Sequence, residues 1–99
     1  ATLKLSWPEG GVEERLFLPG SYRIGSGERC EIMLPDHHTT QIRRVHAVLE
    51  WSGIPNQPYL RPIIGDGSVK IGDTPIRKPA ELAHGESFWV GPYELSLVM

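Results

Sequence analysis

The sequence predicts an all-β fold, a sandwich or barrel, and three observations carry that expectation. Short segments with period-two apolar alternation recur along the chain. Glycine (11) and proline (9) fall between them at short intervals, where turns are required. No longer segment keeps apolar positions at i, i+3, i+4 and i+7, so no helix is expected.

Residues 2–7 alternate, with Leu3, Leu5 and Trp7 on one face. Pro8-Glu9-Gly10-Gly11 turns the chain, and residues 12–18 return to close a hairpin. Pro19-Gly20 makes a second turn before a short strand at 21–24. A strand at 31–34 follows the 25–30 loop, and 35–42 form a longer polar loop. The clearest strand is 45–51. Val45, Ala47, Leu49 and Trp51 share one of its faces, and His46, Val48 and Glu50 the other.

After a loop at 52–57 comes a strand at 59–64. It is expected at an edge or a bulge, because Pro62 has no N–H for a ladder. Residues 65–68 are a loop. Residues 69–71 and 74–76 make a tight hairpin around Gly72-Asp73. His84-Gly85-Glu86 leads into a strand at 87–90, and Gly91-Pro92 into the last strand at 93–98. The total is about ten or eleven strands.

A chain of 99 residues makes one domain, here residues 1–99, with a modest core. It does not begin with Met and is expected to be a domain excised from a longer protein. The net charge of −2 argues against a nucleic-acid partner. No apolar run approaches the roughly 20 residues that cross a membrane, so no membrane insertion by this domain is expected. The first residues of this sequence lack the basic region and apolar core of a signal peptide. Cys30 stands alone, so no internal disulfide forms; an intracellular setting, cytoplasmic or attached to a membrane protein, follows. The bland reading of Cys30 is a small buried hydrophobe.

The chemistry of catalysis is hard to find. Four histidines invite a metal, but His37-His38 are adjacent, His46 and His84 lie far off, and no zinc or calcium spacing occurs. Ser26 in Gly25-Ser26-Gly27 lacks the nucleophile-elbow pattern, and the loop lacks the lysine of a P-loop. A non-enzymatic domain with no cofactor and no metal is expected.

Two loops bearing Ser, Thr, Arg and His, each braced by a strand, make residues 22–51 the centre of the chain. The run Tyr22-Arg23-Ile24-Gly25, then Cys30-Glu31-Ile32-Met33-Leu34-Pro35-Asp36, then Ile42-Arg43-Arg44-Val45-His46-Ala47-Val48-Leu49 resembles the forkhead-associated (FHA) domain. Residues 59–76 and the stretch Leu82-Ala83-His84-Gly85-Glu86 with Trp89-Val90-Gly91 carry two further matches in order. The resemblance covers nearly the whole chain. It implies an FHA-like sandwich of 11 mainly antiparallel strands, usually a reader of phosphothreonine peptides through loops at its tip.

At the tip the pattern is altered. Ser26 stands where the family has an arginine, and Arg43 where it has a serine. Gly67 replaces an asparagine and Asp66 a threonine or serine. Arg44 and His46 are kept, and the resemblance gives His46 a bracing role beside Gly25. A phosphate dianion wants a cation and oriented donors. Asp66 offers like charge, and Gly67 removes an amide. Ser26 and Arg43 look like an exchange of hydroxyl and guanidinium that keeps both groups at one pocket. The bland alternative makes Arg43 and Arg44 solvated, or paired with Asp36 or Asp66. Thr39 and Thr40 read as ordinary loop polarity, with modification sites or peptide contacts as the alternative, and Trp7, Trp51 and Trp89 as packing residues rather than a ligand cage.

The expected function is therefore a protein–protein interaction module for signalling or assembly. Its phosphothreonine site is degenerate, and it binds a protein or peptide partner without needing phosphate. Two alternatives stand: altered phosphothreonine recognition through Arg43, Arg44 and Ser26, and architectural self-association, which a concentration-dependent mass would reveal.

Overall fold

The computed structural model describes residues 1–6, 10–34 and 42–98. Trp7, Asp36, His37, His38, Thr39 and Thr40, and the expectations that fell on them, lie outside the described residues. Among the described residues eleven strands form two sheets. They are β1 (Thr2–Ser6), β2 (Val12–Leu16), β3 (Gly20–Gly25), β4 (Ile32–Met33), β5 (Ala47–Trp51), β6 (Tyr59–Pro62), β7 (Val69–Ile71), β8 (Thr74–Pro75), β9 (Ala80–Glu81), β10 (Ser87–Val90) and β11 (Tyr93–Val98). Among the described residues there is no helix, and none therefore long and apolar enough to cross a membrane.

One sheet has the order β2-β1-β11-β10-β7-β8 and the other β4-β3-β5-β6-β9. All pairings are antiparallel except β3 with β4. Alternation sets the faces. Leu3 and Leu5 of β1 point inward with Leu95 and Leu97 of β11 and Phe88 and Val90 of β10. They meet Ile24, Ala47, Leu49 and Leu60 from the facing sheet. Each fully buried aliphatic or aromatic side chain contributes roughly 1.5–3 kcal/mol over exposure. The aromatic part of this core is a stack: Phe17 lies 5.2 Å from Trp51 at 12°, with Tyr22 tilted against it at 5.0 Å. The indole N–H of Trp51 donates to the Asn56 carbonyl, 2.9 Å, so the buried ring keeps its polar edge satisfied. Trp89, in contrast, is only half-buried.

Two expectations change. Pro62 is not on an edge strand: β6 lies between β5 and β9. Because β9 pairs only with Tyr59 and Leu60, Pro62 sits beyond the end of that ladder and removes no bond from it. The strand expected from residue 45 begins at Ala47. Val45 and His46 belong to the loop, and the His46 main chain bridges sheet and loop instead. Its N–H donates to the Ile24 carbonyl at 2.8 Å, and its carbonyl accepts from Ile63 and Ile64 at 3.0 and 3.4 Å.

Candidate functional site

Three loops meet at one end of the sandwich: 26–31 after β3, 42–46 before β5, and 63–68 after β6. Backbone hydrogen bonds tie the first two together. Ser26 N–H donates to the Arg43 carbonyl at 2.9 Å and Gly27 N–H to the Arg44 carbonyl at 3.1 Å. The Cys30 thiol donates to the same Arg44 carbonyl at 2.9 Å. Cys30 is thus half-buried with a defined hydrogen-bond partner, not a buried hydrophobe.

Gly25 makes this approach possible. Its place in the sequence suggests a turn, yet it closes β3, is buried, and has no positive φ. A Cβ there would stand 2.2 Å from the Arg44 carbonyl oxygen and 2.7 Å from that of Arg43. Hydrogen is required at this position by space, and backbone flexibility has no role in it.

A buried relay links the second loop to the third. His46 is fully buried. The Arg43 N–H donates to its Nδ1 at 3.1 Å, which fixes the neutral ring with its proton on Nε2. Nε2–H then donates to Ser68 Oγ at 2.6 Å, and the Ser68 hydroxyl donates to Asp66 Oδ1 at 2.5 Å. The same carboxylate oxygen accepts the Ser68 N–H at 2.9 Å, closing a local turn. Burial pushes the His46 pKa down; Asp66 opposes this and Arg43 adds to it. The Ser68 hydroxyl and N–H lower the Asp66 pKa, so its exposed carboxylate is ionised at neutral pH. Sequence reasoning missed Ser68. The Asp-Gly-Ser spacing, which places a donor two residues after a carboxylate, was the available signal. Between them Gly67 has φ +87°, a region L side chains rarely adopt.

The five expected site residues, Ser26, Arg43, Arg44, Asp66 and Gly67, therefore stand on three connected loops. Ser26 and Arg43 are neighbours, as the exchange idea requires, but the Ser26 hydroxyl donates to the Ile42 carbonyl at 3.3 Å. Arg43 and Arg44 are exposed and make no ion pair among the described residues; Asp66 is bonded to Ser68 and not to either of them. No three metal-ligating side chains gather among the described residues.

The first loop also has an outer side. Arg23 forks onto Glu31, with Nη2 3.0 Å from Oε2 and Nε 3.3 Å from Oε1, while its N–H donates to Oε1 at 2.8 Å. These bonds hold the Glu31 carboxyl at about 2, the Arg23 side-chain hydrogen bond being the largest cause. Arg23 Nη2 also donates to the Arg29 carbonyl at 2.8 Å. A cleft of about 610 Å³ opens here, lined by Arg23, Ser26, Glu28, Arg29, Cys30 and Arg44 among others.

The family model described as the FHA domain matches residues 22–91, well over half of the chain. The chain belongs to the FHA family. Solved FHA domains share its fold over nearly their whole length. One, studied for phosphothreonine-dependent FHA domain interactions, is 23% identical with a TM-score of 0.79, covering 100% of this chain and 97% of that one. The FhaA FHA domain, solved in complex with the intracellular domain of Rv3910, is 25% identical with a TM-score of 0.77, covering 96% of each chain. The FHA domain of CT664 from Chlamydia trachomatis is 20% identical with a TM-score of 0.79, covering 100% and 98%. A search of curated proteins gives no match. FHA domains are protein-interaction modules known for binding phosphopeptides.

Proposed function

We propose that this FHA domain is a non-catalytic interaction module that binds a protein or peptide partner without requiring phosphothreonine. The observation that carries this reading is the Asp66 carboxylate. Two Ser68 donors hold it ionised and exposed on the third loop, and Ser68 joins it through His46 to the Arg43 backbone. A phosphate dianion arriving there meets a fixed negative charge, and like charge costs affinity. The Ser26 hydroxyl, directed to the Ile42 carbonyl, offers that anion no proton unless it turns away.

A second reading, phosphothreonine recognition in an altered mode, is favoured by Arg43 and Arg44, exposed beside Ser26. The FHA domain of known phosphothreonine-dependent interactions lends it weight through its fold. An NMR titration of the labelled domain separates the two. A degenerate phosphothreonine peptide pool is compared with its unphosphorylated twin. No phosphate-dependent shift is expected at Arg43 or Gly67. Shifts there with the phosphorylated pool alone, abolished by Arg43→Ala, would establish the second reading and end the first.

A further inference from the structure

We propose that the cleft on the outer side of the 26–31 loop is an anion-binding site, which seats an acidic side chain of the partner peptide between Arg29 and Arg44. The proposal rests on the phosphate-independent reading above and supplies the partner's chemistry. In a chain of net charge −2, this cleft has the opposite sign. Three guanidiniums, from Arg23, Arg29 and Arg44, line it with the one carboxylate of Glu28. Arg23 is neutralised by its fork onto Glu31. Arg29 and Arg44 are exposed and make no ion pair among the described residues.

Both arginines are held through their backbones, which leaves their side chains free to bind. The Arg44 carbonyl accepts from Gly27 N–H and the Cys30 thiol, and the Arg29 carbonyl accepts from Arg23. Such anchoring cuts the ordering cost of binding. Guanidinium planes match carboxylate and phosphate oxygens in pairs. Asp66, the charge that repels anions at the tip, does not line the cleft. The recognised chemistry is an oxyanion, and either a carboxylate or a phosphate ester can supply it.

The test is a second NMR titration with three synthetic peptides of equal length. One has a Glu/Asp-rich centre, one the matching Gln/Asn centre, and one a single phosphothreonine among neutral residues. The Glu/Asp peptide is expected to shift the amides of Gly27, Arg29, Cys30 and Arg44, and the Gln/Asn peptide to shift none. Arg29→Ala with Arg44→Ala should weaken binding about tenfold, the attenuated effect of two exposed ion pairs. Lys70→Ala with Lys78→Ala, on exposed surface elsewhere, should change nothing. Should the alanine pair fold poorly, Arg29→Gln alone must still weaken binding severalfold.

If only the phosphothreonine peptide binds, with the same dependence on Arg29 and Arg44, the cleft stands and phosphate independence fails. If the Glu/Asp peptide shifts Arg43, Asp66 and Gly67 instead, the cleft is overturned and phosphate independence survives. The absence of shifts with either charged peptide, or equal weakening by the lysine variants, also overturns the cleft.

Discussion

Replacing Gly25 with alanine is expected to destabilise the domain by about 3 kcal/mol and to displace the Arg43–Arg44 backbone. The added methyl would sit 2.2 Å from a carbonyl oxygen, and the neighbour it meets is main chain, unable to rotate aside. Relief requires moving the two loops away from each other, which breaks the bonds from Ser26 and Gly27 to the arginine carbonyls. Urea denaturation measures the loss. Gly27→Ala should cost less, since its Cβ would meet the Arg44 oxygen at 3.0 Å. Gly65→Ala serves as the control, with open space and no positive φ. A Gly25→Ala variant as stable as Gly65→Ala would refute the steric account.

His46→Ala is the second large effect, again about 3 kcal/mol. It empties a fully buried site, leaves the Arg43 N–H without its acceptor, and takes away the N–H that the Ser68 oxygen accepts, leaving Ser68 only its bonds to Asp66. His46→Phe separates the two causes, because it restores volume without polarity and should recover only a fraction of the loss. The histidine also makes stability depend on pH. Burial lowers its folded-state pKa below the ordinary 6.5, with Arg43 acting the same way and Asp66 against it. Above pH 6.5 the ring is neutral in both states and the stability is complete. As pH falls below 6.5 the unfolded chain takes a proton that the folded ring refuses, so stability declines until the folded-state value is reached. Subtracting the His46→Ala curve from that of the parent should leave this slope. An equal slope in both proteins would mean that His46 titrates alike folded and unfolded.

Most of the scaffold was legible because alternation and turn residues report directly on a half-buried strand. The 87–90 and 93–98 strands emerge with their expected bounds. What escaped was short or non-local. Ala80–Glu81 is a strand of two residues that exists only by pairing with Tyr59 and Leu60, and two residues show no period. Gly25 reads as a turn because its reason for being glycine lies in Arg43 and Arg44, far along the chain. At the tip, residue identities were visible but their partners were not. That Ser68 stands between His46 and Asp66 is a fact of folding across 22 residues. The arginine cleft likewise depends on which guanidinium is neutralised, and Glu31 reaches Arg23 only because β4 lies beside β3.

The register of β1 on β11 has a mechanical consequence. Thr2 pairs with Val98, and Ser6 with Glu94. A pull between residues 2 and 98 loads the ladder at one end, along bonds that run across the strands, so the rungs break in succession. A pull between residues 6 and 98 runs along the strands and loads all rungs together. Force spectroscopy through these two attachment pairs should find the first rupture at clearly lower force, and equal forces would contradict this. Tension applied at residues 2 and 98 would peel β1 from β11 while the three tip loops, held by their own hydrogen bonds, stay joined.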